Sequence, residues 1–546
     1  MPKIVTVEEM KAIEKAADAA GLTYDQMMEN AGLAIADAIR RRQPAISGKR
    51  VVVLVGTGNN GGDGLVAVDH LAEAGAQVAA YLVKPRDDTD PHLARVKSRG
   101  ALIAVAADDQ RARVLHNVLG SADIVVDAVL GTGAKLPLEG PAKGVLGTAK
   151  KAIAARGQRP YIVAVDCPSG LDCDTGDLAD ETIFADLTVT LAAAKPGHFR
   201  MPGAAAIGEL SVADIGIPAN QKLLAKIPLE VATPSELRTW LPDRPLDAHK
   251  GTFGRVIIVA GSVNFPGAAA LAGLGAYRIG AGLVTLATPS SLQVLIAPRL
   301  PEATWILLPH ELGAISAAAV DVLRREFSNA DAFLLGPGFG QDPATATFLD
   351  QLLFGRQDMH RPRIGFIHQQ EQASSDPSAL PPCVVDADGL KLLASLPDWP
   401  SRLPAPSVLT PHPGEMAVLT GEDIEAVQAD RVKTAAKWAK TWGHVVVLKG
   451  AFTVVAEPEG KVSLNPIATP ALARAGTGDV LAGAIVGLMG QGVDAYRSAV
   501  LGAYLQGRAG QLAAVSVGSE ASVLAGDVAE GLPAAIAGLV SGRPWG

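Results

Sequence analysis

Short, apolar, β-branched runs alternate with helical stretches along most of the chain, and this constrains the fold more than any other feature. Runs at 51–55, 77–83, 124–126, 161–165 and 187–191 are short, β-branched and largely apolar, as strands with both faces covered are. Helical patterns are predicted at 7–20 and 25–42, then near 65–74, 91–99 and 141–155. Buried strands joined by helices describe a parallel, doubly wound α/β sheet. The pattern loosens in the Pro-rich, polar stretch 215–248, where a domain boundary is expected. It resumes with strands predicted at 256–260, 283–287, 332–335, 383–386, 407–409 and 445–448, and helices at 267–278, 390–394 and 479–489. Two three-layer α/β domains in series follow, about 1–220 and 221–546. Residues 355–382 lack periodicity and read as a surface insertion, with His360 and His368 solvated.

Composition removes several classes of function. Lys and Arg number 48 against 56 acids, a net charge of −8, and aromatics are only 4%. A nucleic-acid binder would need a basic face or stacking platforms, so none is expected. Cys167, Cys173 and Cys383 form no CxxC pair, which argues against a disulfide framework or a zinc site. The opening MPKIVTVEEMKAIEK lacks an apolar signal core, and no long apolar run suggests a membrane span. A cytoplasmic enzyme is the expectation.

The first predicted strand runs into Gly56-Thr57-Gly58-Asn59-Asn60-Gly61-Gly62-Asp63-Gly64 and then a helix. Such a turn brings backbone N–H groups and a positive dipole end close to a ligand. GxGxxG alone is a weak signal, and the acid that should end the next strand is replaced by Leu82-Val83-Lys84-Pro85. An Asn-capped turn without a ligand is the competing reading. Two further strand ends carry polar groups, VDAVLGTG from Val126 and VDCPSG from Val165. At the carboxyl edge of one sheet Asn60, Asp127 and Ser169 can converge as oxygen donors; one carboxylate among them suits a monovalent cation. Loop capping is the alternative for Asp127 and Asp166. Lys195, in AKPG, ends another strand on that edge.

The order GNNGGDG, VDAVLGTG, VDCPSG and AKPG, after Met28-Glu29-Asn30-Ala31-Gly32, resembles the NAD(P)H-hydrate epimerase family over about 1–220. The resemblance implies a Rossmann-like domain with K+ at Asn60, Asp127 and Ser169. It also implies hydrate contacts from Asn59, Asn60, Gly61, Gly62 and Asp63, from Gly131, Thr132, Gly133, Ala134, Lys135, Leu136 and Pro137, and from Asp166. Epimerisation at C6 needs a proton donor and acceptor, for which Asp166 and Lys195 are the candidates.

In the second half Ala475-Gly476-Thr477-Gly478-Asp479 opens a helix, so amides can hold phosphoryl oxygens while Asp479 takes a proton from a hydroxyl. A simple N-cap role for Asp479 is the alternative. The motif resembles the ribokinase-like superfamily. With HKGTFG, PGAA, GPG, VDADGL, TPHPGE and KGAFT in order, it resembles the ADP- or ATP-dependent NAD(P)H-hydrate dehydratases over about 230–540. The resemblance implies hydrate contacts from Ala268, Gly338, His412 and Asp479. Nucleotide contacts are implied for Lys449, Gly450, Ala451, Phe452, Thr453 and Gly478. Mg2+ with ADP or ATP is the implied cofactor, ADP being favoured, and a turn-capping role for His412 stays open. Hydrated NADH or NADPH and an adenine nucleotide are the expected ligands, and a homo-oligomer the expected assembly. The chemistry implied is epimerisation of the R and S hydrates followed by dehydration of S. A small-molecule kinase with a nucleotide-binding first domain, and a non-catalytic scaffold, are the competing readings.

Overall fold

The computed structural model describes residues 1–87, 89–355 and 380–541, so His360 and His368 lie outside the described residues. The chain divides into two compact units between Leu229 and Glu230, with Met1 belonging to the second. No described helix is long and apolar enough to cross a membrane.

In the first unit the described strands are β1 (Arg50–Val55), β2 (Gln77–Leu82), β3 (Leu102–Val105), β4 (Ile124–Ala128), β5 (Tyr161–Val165), β6 (Leu187–Leu191) and β7 (Glu209–Ala213). They pair in parallel in the order β3-β2-β1-β4-β5-β6-β7. Along β1, Val51, Val53 and Val55 enter one core while Val52 and Leu54 enter another. Both faces of the sheet are therefore covered, which is why its strands lack polar alternation. The order reverses between β1 and β4, leaving a crevice beyond their carboxyl ends. Leu54 and Asp127 are register partners, so the GNNGGDG and VDAVLGTG turns open side by side.

The second sheet contains β8 (Leu229–Val231), β9 (Arg255–Val259), β10 (Leu283–Pro289) and β11 (Thr304–Leu308). A separate hairpin joins β12 (His310–Glu311) and β13 (Ala314–Ile315). The sheet continues with β14 (Ala332–Leu335), β15 (Cys383–Val385), β16 (Val408–Leu409), β17 (Val445–Leu448), β18 (Val454–Ala456) and β19 (Val462–Leu464). Its order is β11-β10-β9-β14-β15-β16-β17-β18-β19-β8, parallel from β11 to β17 and antiparallel across β17, β18 and β19. The order reverses between β9 and β14, the second unit's crevice. On one face the helices Pro266–Arg278 and Thr477–Gly490 pack backbone to backbone. A methyl added at Gly483 would stand 2.0 Å from Ala272 O, and one at Gly275 2.5 Å from Val480 O. That close packing carries AGTGD to the start of Pro266–Arg278, where Ala268 lies.

The expected α/β class holds for both units, although several described elements, among them β7, β11, β18, β19 and the helices Ala319–Phe327 and Arg431–Trp442, were not in the expected set. The helix expected from 65 begins at Asn59, so most of GNNGGDG is helix rather than loop. The edge strand β3 was not predicted because it is half-exposed and only four residues long. The helix Ala495–Val517 was also missed: nearly every position from 495 to 510 is buried, so it has no amphipathic stripe to detect.

Candidate active sites

In the first unit the glycines that resembled a phosphate turn are largely used in packing. A methyl at Gly56 would lie 1.9 Å from Val129 O, at Gly61 2.3 Å from Gly56 O, and at Gly62 2.6 Å from Met28 Sδ. What Gly61 and Gly62 present to a ligand is backbone alone. Arg86, which the sequence reading did not single out, donates from Nη1 to Gly56 O at 2.8 Å and fastens the turn.

Asp127 is fully buried and held by neutral groups only. Ser169 donates through Oγ at 2.5 Å and through its backbone N–H at 2.8 Å, and the Val129 N–H donates at 3.3 Å. Burial pushes its pKa up, against the pull of those hydrogen bonds. Asn60 lies against Gly131, whose neighbour Leu130 donates to Ser169 Oγ at 2.8 Å, so the three expected cation ligands are neighbours. The Asn60 amide nitrogen is buried without a partner. Turning that amide over would present an oxygen in its place. A buried carboxylate lacking a counter-charge beside a free amide fits a monovalent cation.

Asp166 sits at φ 65°, a left-handed conformation that costs a non-glycine residue energy and turns its carboxylate toward Lys195. Lys195 Nζ donates to Asp166, to Thr190 Oγ1 at 2.9 Å and to Leu191 O at 3.3 Å. Asp166 also accepts from Thr190 Oγ1 at 3.0 Å and from the Leu191 N–H at 3.1 Å. Burial alone would raise the Asp166 pKa; Lys195 outweighs it and holds the carboxyl below its usual range. Burial would lower Lys195, yet the Asp166 charge holds it above its usual value. Burial and then the Lys195 charge drive His198 down to about 3, so it stays neutral. Beside this pair burial pushes Asp63 well above the carboxylate range, reinforced by the charges of Asp166 and Glu14. Glu14, on the helix Val7–Ala19, is also raised by burial, with Lys195 opposing and Asp166 adding. No motif pointed to Glu14; it stands one position beyond the buried Ile13 on an otherwise ordinary amphipathic helix.

In the second unit Lys449 follows β17 and reaches Asp386 Oδ1 at 2.7 Å and Glu415 Oε2 at 3.6 Å. Asp386 follows β15, accepts also from Thr410 Oγ1 at 2.7 Å, and keeps Oδ2 buried without a partner. A methyl on Gly478 would stand 3.4 Å from Lys449 Nζ and 3.7 Å from Asp386 Oδ2, so both groups face the AGTGD turn. Burial, then the charge of Asp386, raises the Asp479 pKa to about 7, while Lys449 pulls it down. Gly338 meets Ala268: its added methyl would be 2.7 Å from Ala268 Cβ. His412 caps the helix Pro413–Thr420. Its Nδ1 accepts from the N–H groups of Gly414 and Glu415 at 3.0 and 3.2 Å, and Nε2 lies 3.3 Å from Glu415 Oε1. The turn-capping role left open for His412 is thus real, and its half-exposed ring still faces the Lys449 cluster. Sequence reasoning missed Arg431, whose Nη1 and Nη2 donate to Ala451 O at 2.5 Å and Leu448 O at 2.8 Å. It clamps the turn that begins at Lys449. Asp386 and Glu415 had appeared only inside motifs; their strand-end and cap positions were the available signal.

Residues 24–197 match the family model described as YjeF-related protein N-terminus, and 256–533 match the model described as NAD(P)H-hydrate dehydratase. The chain is 39% identical over 539 residues to the bifunctional NAD(P)H-hydrate repair enzyme Nnr of Moorella thermoacetica, covering 97% of this chain and 96% of the relative. The chain belongs to the bifunctional NAD(P)H-hydrate repair enzyme family. The family's enzyme from Thermofilum pendens is 35% identical, with 95% and 93% coverage, and that from Escherichia coli is 32% identical, with 92% and 88%. A solved ADP/ATP-dependent NAD(P)H-hydrate dehydratase from Bacillus subtilis, co-crystallised with ATP and Mg2+, is 31% identical. It covers 57% of this chain and 98% of its own length, with a TM-score of 0.46. The family match encloses Asn60, Asp127, Asp166, Ser169 and Lys195 in the first unit and the Asp386–Asp479 cluster in the second; Glu14 lies outside both matched spans.

Proposed function

We propose that the chain repairs hydrated NADH and NADPH, its first unit epimerising the C6 carbinol and its second dehydrating the S form with an adenine nucleotide. The observation that carries this reading is a repeated one. Each unit bonds a lysine to a buried aspartate that directly follows a strand, Lys195 (four residues past β6) to Asp166 and Lys449 (directly after β17) to Asp386, in a chain aligned end to end with bifunctional repair enzymes. A kinase that releases a phosphorylated product has no use for the first unit, and a scaffold has none for two perturbed acid clusters.

In the first unit burial raises the Asp63 carboxyl while Lys195 holds Asp166 low, the opposed pair of shifts that a proton donor and a proton acceptor need. Asp63 supplies the proton that lets the C6 hydroxyl leave as water. Water adds back to the C6 cation and gives its proton to Asp166, which returns it to Asp63 through solvent, so both carboxyls begin the next turnover as they began the first. Lys195 keeps Asp166 charged. Asn60, Asp127 and Ser169 would hold K+, which supplies the counter-charge that Asp127 lacks.

In the second unit Asp479, with a pKa of about 7, takes the proton of the C6 hydroxyl as that oxygen accepts the phosphoryl group. The AGTGD amides and Lys449 hold the phosphoryl charge. Phosphate then departs with the C6–O bond pair, the N1 lone pair assists, and loss of the C5 proton restores the dihydropyridine. Asp386 Oδ2, buried and unpartnered, fits as the protein's ligand to Mg2+, which supplies charge neutralisation at the phosphates.

The test mixes the protein with both epimers of hydrated NADH, K+, Mg2+ and ADP or ATP, and follows recovery of dihydronicotinamide absorbance. Full recovery is expected from the wild type, S-only recovery from Asp166→Asn, and none from Asp479→Asn. Nucleotide-independent recovery, or a phosphorylated product, overturns the reading.

A further inference from the structure

We propose that a cavity beyond the carboxyl ends of β2 and β3 is the adenosine subsite of the first unit, with Lys84 at its rim taking the 2′-phosphate of hydrated NADPH. This rests on the epimerase reading of that unit. The cavity holds about 430 Å3 and is lined by apolar residues such as Val83, Ala106 and Val145 together with the polar Lys84, Asp109 and Thr148. That volume and an apolar lining with few polar groups are those of a small-molecule site.

Its place in the fold joins it to the catalytic crevice. Val83 and Pro85 follow β2, and Ala106 follows β3, so the cavity opens on the same edge of the sheet as Asp63 and Asp166. One wall is tied to the glycine turn, because Arg86, next to Pro85, donates to Gly56 O at 2.8 Å. The opposite wall is the helix Gly140–Ala154, which the 131–137 turn leads into. A dinucleotide whose reacting ring lies at Asp166 therefore has a continuous path along the strand ends to this cavity. Alanines at 106 and 112 give the cavity a floor of small apolar side chains, over which a base can lie. Arg111 and Ala112 stand at φ 58° and 52°, consecutive left-handed residues beside that floor. Backbone strain of this kind persists where the surrounding structure requires it, and binding sites are where it clusters.

The polar chemistry selects the 2′-phosphate. In dinucleotide-binding sheets an acid near the end of the second strand receives the ribose hydroxyls, whereas a cation there accommodates a phosphate. Here that strand end supplies Lys84. Asp109, a carboxylate within the lining, is already engaged by the Tyr81 hydroxyl at 3.1 Å and by the Val114 and Leu115 N–H groups at 3.0 Å. It is not available to a ribose diol.

Two variants of the full chain test this. Gly144 lines the cavity from a helix, and a methyl added there meets nothing within 4 Å, so Gly144→Leu fills the cavity at a position where leucine also favours the helix. It should raise the epimerase KM for both hydrates about tenfold and leave dehydration of the S form unchanged. Lys84→Ala should raise the KM for hydrated NADPH roughly five- to tenfold, a charge-assisted contact, while hydrated NADH stays within about twofold. Unchanged epimerase KM values in Gly144→Leu overturn the subsite, and equal loss on both hydrates in Lys84→Ala overturns the phosphate contact. If the wild type shows no epimerisation, the epimerase reading fails by itself. Calorimetry with 2′,5′-ADP and 5′-AMP then decides the subsite: 2′,5′-ADP should bind wild type more tightly than 5′-AMP and lose that advantage in Lys84→Ala and Gly144→Leu. No such advantage in the wild type overturns the proposal.

Discussion

Replacing Lys195 by Met removes the cation from a pair in which Lys195 is 1% and Asp166 7% exposed. Solvent cannot take over the lost charge, and breaking a buried pair from one side costs about 3–5 kcal/mol. For a unit spanning Pro2–Leu229, that lowers its unfolding temperature by roughly 6–20 °C. The pH trend identifies the cause. In the wild type the Asp166 pKa lies below its unfolded value, so its contribution to stability is present above the unfolded pKa and lost as pH falls through the folded one. Without Lys195, burial leaves the folded pKa above the unfolded value. The contribution then reverses: it is present below the unfolded pKa and lost as pH rises toward the folded one. The gap between variant and wild type should therefore narrow as pH falls from 7 toward 5. Adding Asp166→Asn should recover most of the loss, because no unpaired charge remains. Scanning calorimetry of the full chain reads these shifts, with retained dehydration of the S hydrate reporting an intact second unit. A fall below about 2 °C, or a gap that is the same at pH 5 and 7, would refute the assignment of a charged, sealed pair.

Dehydration should rise with pH through about 7 and then level off, because Asp479 must lose its proton to act as base; Asp479→Asn should cost about 10²–10⁴ in kcat and remove that dependence, as stopped-flow rates across pH will read. Arg431→Met removes the bonds to Leu448 O and Ala451 O and should raise the nucleotide KM about tenfold, read by steady-state kinetics with epimerisation as control. Arg431→Lys should not restore it, since one ammonium does not reproduce the two-pronged grip. Exchanging K+ for tetramethylammonium should slow epimerisation and leave S-hydrate dehydration intact, and Asn60→Ala should reproduce the loss when both rates are measured in K+.

The strands that position both sites were legible because a buried parallel strand is apolar at nearly every position, as residues 51–55 of β1 and all of β17 are. Asp127, Asp166, Asp479, Lys195 and Lys449 were legible for the same reason: each is a polar residue beside such a strand or at a glycine-marked helix start. Glu14 and Arg431 were not. Each reaches its site from a helix elsewhere in the chain, and only tertiary packing supplies that proximity. The glycines were misleading in a specific way. GNNGGDG looked like a loop shaped for a ligand, whereas Gly61 and Gly62 are small because Gly56 O and Met28 Sδ occupy the space a side chain would need.

The two lysine–aspartate pairs look equivalent in sequence, yet their surroundings assign them different work. An ammonium has three donors. Lys195 directs its donors at Asp166, Thr190 Oγ1 and Leu191 O, and is sealed from solvent. It has no donor left for a substrate, so on the proposed mechanism it holds Asp166 low and leaves the donor's part to Asp63, whose carboxyl burial raises. Lys449 has one close partner, Asp386 Oδ1, while Glu415 stands off at 3.6 Å and the AGTGD turn lies within reach. Its remaining donors are free to meet phosphoryl oxygens as they arrive. The same residue pair is thus saturated in one unit and has donors to spare in the other, and that count is what assigns the two pairs different parts in the proposed reactions.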